Sequence, residues 1–327
     1  MTAHRVSVGK TRALQRATTR SGHFTILALD HQDALRRAMQ PNAPESVTPA
    51  QMVALKQQIV GALAAECSGV LLDPIYGAAQ AIAAGGLGAT GLLVELEKAD
   101  YQLRPMPLHV ELLPQWSVAR IKRAGADGVK LFYYDNPDSP ALAAAQDATV
   151  RRVGEQCANH DIPFYAEPIL CEIGEPPAQY AGQFTHRVIE SARRAATLST
   201  DVLKLEFPVH PSLQSDVGRC REACAHLTES LDQPWVLLSA GVSFETFCTQ
   251  VEIACAGGAS GYIVGRAVWG EVVRLTDAAE RQRWLDTTGR ERLQRLADIA
   301  ASGRPWTDVI QCEPVTPQWY ATYPEAD

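Results

Sequence analysis

The chain has 327 residues, of which 46% are hydrophobic and 20% charged, with a formal net charge of -7 and a sequence pI near 5.7. That length and composition exclude a disordered or fibrous chain. The acidic balance argues against nucleic acid or an anionic membrane surface as partner, since both call for a basic face. No apolar run approaches the roughly 20 residues of a membrane span. Met1–Arg5 leads into a polar segment rather than an apolar one, and the eight cysteines include no CxxC pair. A cytoplasmic protein with reduced structural thiols is expected. Cys220 and Cys224, at helical spacing, have no two further ligands nearby to complete a zinc site.

Residues up to about 22 are polar and basic and read as a helix under one end of the fold. Phe24–Asp30 is a buried-strand run that ends in a carboxylate, and the same punctuation recurs seven times. The repeats are Gly69–Pro74, Gly91–Glu97, Gly128–Tyr134, Pro163–Pro168, Val202–Pro208, Trp235–Gly241 and Gly261–Arg266. Helical patterns separate them. Eight apolar strands alternating with helices predict a parallel sheet closed into a (β/α)8 barrel. The competing open sheet would show a glycine-rich fingerprint after its first strand, where this chain reads Asp30-His31-Gln32. Gly85-Gly86-Leu87-Gly88 precedes a strand, so no phosphate role follows for it. Residues 278–301 read as one long amphipathic helix, and 311–327 as a tail that frays or packs onto a neighbour. No composition break marks a second domain; residues 1–327 are expected to form one barrel.

Functional residues of a barrel come from the C-terminal ends of its strands. The polar residues in these runs are Asp30, Asp73, Glu95, Glu97, Lys130, Glu167, Lys204, Glu206, Ser239 and Arg266. Lys204 interrupts the apolar run Val202–Phe207, and a lysine there either snorkels to water or faces a polar pocket as a nucleophilic amine. Lys130, Glu167 and Lys204 lie on three consecutive strands and converge on one volume. Two neighbouring cations favour loss of a proton from one, and Glu167 between them can move protons during carbinolamine formation and dehydration. Asp30, across the mouth, suits substrate hydroxyls. Ser239-Ala240-Gly241 and Gly265-Arg266, at the ends of the seventh and eighth strands, suit a phosphate pocket of backbone N–H groups with an added arginine.

Asp201–Val209, Leu72–Gly77, Ala126–Lys130, Leu238–Val242, Gly265–Ala267 and Trp284–Gly289 together resemble the class I tagatose 1,6-bisphosphate aldolases. The resemblance runs from about Phe24 to Val309. The related sulfofructose-phosphate aldolases share the Lys204 and Ser239–Gly241 segments, and Gly265–Trp269 is especially similar to theirs. The resemblance implies a (β/α)8 fold without metal or cofactor, with Lys204 as the Schiff-base lysine and Glu167 and Lys130 as its acid/base and electrostatic partners. One departure stands out. Where the family reads Asp-Gln-Arg, this chain has Asp30-His31-Gln32, so the terminal-anion contact falls to His31 or Gln32, and a histidine there would titrate near pH 6.5.

The leading expectation is cleavage of a phosphorylated ketose, tagatose 1,6-bisphosphate ahead of sulfofructose 1-phosphate, by a homo-oligomer. An alternative chemistry would use a divalent ion held by His31, Glu167 and His210, which two nearby lysines would repel. A reading of another class is a non-catalytic sugar-phosphate sensor that kept the pocket.

Overall fold

Each of the eight apolar runs is short, rich in Val, Leu and Ile, and opened or closed by Gly, Pro or a carboxylate, which is how strands covered on both faces read. In the computed structural model, which describes residues 4–98, 109–172 and 174–323, they are strands. After the three-residue strand β1 (His4–Val6) come β2 (Phe24–Leu29), β3 (Gly69–Leu72), β4 (Gly91–Glu95) and β5 (Gly128–Asp135). β6 (Phe164–Leu170), β7 (Val202–Leu205), β8 (Trp235–Leu238) and β9 (Gly261–Val264) follow, and β10 (Ile310–Cys312) is last. Strands β2 to β9 pair in chain order, all parallel, and β9 returns to β2, closing the barrel. The expected (β/α)8 architecture is the one observed.

Period-two alternation divides the apolar residues into two cores. Leu27, Val70, Val94, Leu203, Leu205 and Leu237 face the surrounding helices. Ile26, Leu71, Leu93, Tyr165, Val202, Val236 and Ile263 pack inside the barrel with Leu14, Ala17 and Trp306, which close its lower end. Lys204 is two residues beyond Val202 and Glu167 two beyond Tyr165, so their side chains continue the inward row toward the mouth.

The lower end is built by segments outside the barrel. Trp306 donates its indole N–H to Thr18 Oγ1 at 3.1 Å and its backbone N–H to the Gly22 carbonyl at 3.0 Å. At Gly91 a Cβ would meet Ala17 Cα and the Arg16 carbonyl, both at 2.7 Å, so only glycine lets the N-terminal segment approach this closely. The expected N-terminal helix is instead β1 followed by a helix at Val8–Arg16. β1 pairs in parallel with β10, so the tail begins as a strand, while residues 324–327 lie outside the described residues. The expected long helix over 278–301 is interrupted: Ala278–Trp284 and Arg290–Ala300 flank a wide π-type turn at Leu285–Gly289. No disulfide joins cysteines among the described residues.

Candidate active site

At the C-terminal end of the strands is a cavity of about 410 Å³. Lys204 reaches it from β7, with its Nζ 2.8 Å from Glu167 Oε1. The other Glu167 oxygen lies 3.0 Å from Lys130 Nζ, so one carboxylate bridges the two lysines. Lys130 also donates to Asp30 Oδ2 at 3.0 Å and to Glu97. The anticipated cation pair is therefore an alternating cluster in which three carboxylates surround Lys130. Among the described residues Lys204 has one protein acceptor, Glu167, and it lines the cavity.

Burial opposes charge on Asp30, but the Lys130 and Lys204 ammonium groups, with His31, hold its carboxyl well below the usual range. Glu95 goes the other way: burial, with Glu97 and Asp30 nearby, raises its carboxyl well above the ordinary value. Burial also raises Glu97, against the attraction of Lys130. Oxygens of Asp30, Glu95 and Glu97 lie within 4.8 Å of one another, which on spacing alone would suit a cation. The Lys130 ammonium is already bonded to two of the three, so this donor set does not fit a metal. His210 does not join His31 and Glu167: its ring bonds Ser212 and packs against Tyr180 and Phe184.

The β8 and β9 ends form the wall between β7 and β2. After Leu238 the chain turns sharply, with the Val242 N–H donating to the Ser239 carbonyl at 3.0 Å. Ala240 and Gly241 both have positive φ, 46° and 75°. A non-glycine in the left-handed region beside a cavity is strain kept by the surrounding structure, as functional turns often show. The guanidinium of Arg266 lies over Gly241, where an added Cβ would come within 3.0 Å of Nη2. Gly265 donates its N–H to Ser239 Oγ at 3.4 Å. Among the described residues Arg266 has no ion-pair partner, so this wall presents a cation and turn amides to an anion.

Ten of the eleven residues singled out by sequence therefore line one cavity: Asp30, His31, Lys130, Glu167, Lys204, Ser239, Ala240, Gly241, Gly265 and Arg266. Gln32 does not. It precedes the helix Asp33–Met39, and its Nε2 donates to Glu95 Oε1 at 2.7 Å, away from the cavity. His31 is in place but not in the expected charge state. Burial against Trp269 pushes its imidazole down to about 3, against the attraction of Asp30 and with Arg266 adding to the effect, so it is neutral through the physiological range. Two further wall residues, Glu206 and Arg37, were not singled out as site residues. Burial raises Glu206 to about 7, partly offset by the 2.9 Å bond it accepts from the Leu170 N–H. Glu206 was visible two residues after Lys204, on the same strand face. Arg37 gave no signal, because on a polar helix it reads as a surface charge.

Residues 24–271 match the family model described as DeoC/LacD family aldolase. Tagatose 1,6-diphosphate aldolase 2 of Enterococcus faecalis is 32% identical, covering 94% of this chain and 98% of that protein. Tagatose 1,6-diphosphate aldolase of Lactococcus lactis is 33% identical over 92% of this chain and 98% of its own length. A solved structure of fructose-bisphosphate aldolase from Plasmodium falciparum superposes with a TM-score of 0.71 at 12% identity, over 93% of this chain and 99% of that one, a likeness of fold. The chain belongs to the DeoC/LacD family of aldolases.

Proposed function

We propose that the protein is a metal-independent class I aldolase that cleaves tagatose 1,6-bisphosphate to dihydroxyacetone phosphate and glyceraldehyde 3-phosphate. The observation that carries the reading is Lys204: a buried amine with, among the described residues, a single carboxylate partner at 2.8 Å, open to a cavity whose adjoining wall offers Arg266 and a turn of backbone amides. The names of the relatives at 32–33% identity support the choice of sugar.

In this reading Glu167 accepts a proton from Lys204, whose Nζ attacks the C2 carbonyl of the ketose. Glu167 returns the proton as the carbinolamine loses water. The resulting iminium draws the C3–C4 bonding electrons toward nitrogen, and a carboxylate, Glu167 or Asp30, takes the C4 hydroxyl proton as the aldehyde leaves. Protonation of the enamine at C3 and hydrolysis release the second product and restore Lys204. Lys130, held by three carboxylates, fixes the orientation of both Asp30 and Glu167. Cysteines without disulfides among the described residues suit a reducing cytoplasm, and no helix among those residues is long and apolar enough to cross a membrane.

Borohydride reduction in the presence of dihydroxyacetone phosphate tests the reading. A stable adduct on the peptide carrying Lys204 is expected, with turnover indifferent to EDTA. Unmodified protein with EDTA-sensitive turnover would overturn it.

A further inference from the structure

We infer that Arg37 is the cation that holds the terminal phosphate of the substrate, at the end of the sugar distant from the imine. The inference rests on the proposed ketose bisphosphate cleavage and adds the residue that selects a second anion.

A bisphosphate brings two anions into the cavity, and each needs a cation or a cluster of donors. Among the described residues the cavity is lined by four side chains that carry positive charge: Arg37, Lys130, Lys204 and Arg266. Lys130 is bonded to Asp30, Glu97 and Glu167. Lys204 forms the covalent bond. Arg266 sits over Gly241, on the strand end next to β7 and its lysine, where the phosphate adjoining the imine carbon must lie. Arg37 remains.

Its neighbour shows that this is not a generic surface arginine. Arg36 is bonded to the Val47 carbonyl and to Tyr76 Oη at 2.7 Å, with its guanidinium over the Tyr76 ring. Arg37, on the same helix, makes no hydrogen bond or ion pair with any described residue and faces the cavity. Asp33, one turn earlier, also lines the cavity but forms no ion pair with it. The helix follows β2, which stands beyond β9 from β7 around the closed barrel. A sugar bonded to Lys204 at C2, with one phosphate at Arg266, extends past Asp30 and His31 toward this helix. Gln32, the sequence candidate for the task, is committed to Glu95.

The test compares specificity constants for tagatose 1,6-bisphosphate and tagatose 1-phosphate in the wild type, Arg37→Ala and Arg37→Lys. In Arg37→Ala the ratio of bisphosphate to monophosphate kcat/KM should fall about 10²-fold, mostly through KM, as expected for loss of a charge contact. Arg37→Lys should recover part of the ratio, since lysine restores the charge without the planar fork. An unchanged ratio, whether both constants hold or both fall together, overturns the inference. Cleavage of neither sugar by the wild type would instead refute the aldolase reading itself.

Discussion

Two buried lysine–carboxylate pairs in this barrel start from similar chemistry and end differently. Lys56, only 1% exposed, donates to the Leu29 carbonyl at 2.8 Å and to Asp73. Asp73 in turn accepts the backbone N–H groups of Ile75 at 2.9 Å and Tyr76 at 2.6 Å. Lys204 is nearly as buried, at 5%, but has one protein acceptor among the described residues and an open volume beside it. Burial does not separate the two. What separates them is hydrogen-bonding capacity left over: the first pair has spent it on backbone, while the second keeps donor directions on the cavity.

The largest effect that would break this contrast is on Lys204. Lys204→Met should lower turnover by about 10⁴-fold or more and abolish the borohydride adduct, while urea denaturation shows a fold at least as stable as the wild type. Substantial turnover in this variant would reduce Lys204 to a second Lys56. The reciprocal change, Lys56→Met, should cost about 3–5 kcal/mol of stability, because it leaves a buried carboxylate without its cation. The folded fraction should keep its kcat, so a urea midpoint and an active-site titration together check it.

Glu167→Gln keeps the shape of the bridge between the lysines and removes its proton chemistry. We expect turnover to fall by about 10²- to 10³-fold with little change in KM; a rate near the wild type would make Glu167 a structural tie like Asp73. The smallest effect concerns Glu206. Its carboxyl titrates at about 7 in the fold against an ordinary 4.5, so between those values the folded chain keeps a proton that the unfolded chain has lost. Stability should therefore decline as pH rises from about 4.5 to about 7 and level off above it. Glu206→Gln should flatten that slope in urea midpoints measured at pH 5 and pH 8, and parallel curves for the two proteins would contradict the assignment.

The strands were legible because a doubly covered strand has a simple signature, an apolar run with sharp ends, and Lys130, Glu167 and Lys204 stood out as violations of it. Direction and charge state were not legible. Whether Gln32 turns toward the cavity or toward Glu95 depends on how the chain leaves β2, and the neutrality of His31 depends on burial against Trp269, a residue 238 positions away in sequence. Arg36 and Arg37 are identical as letters, and their surroundings diverge through Tyr76 and Val47, which the fold brings to one of them. The β1–β10 pairing joins three-residue segments some 300 positions apart, too short for any local pattern to announce.

That pairing depends on a segment synthesised after every strand of the barrel. Every strand of the barrel and every lining residue of the cavity lies between positions 24 and 266, so the ribosome has delivered the whole reactive mouth before it reaches residue 310. The clasp beneath it cannot close until β10 emerges, and with the barrel strands already paired only the segments flanking them remain to be ordered, so the closure entropy is that of short loops. The residues of the mouth thus leave the ribosome before those that fasten the base.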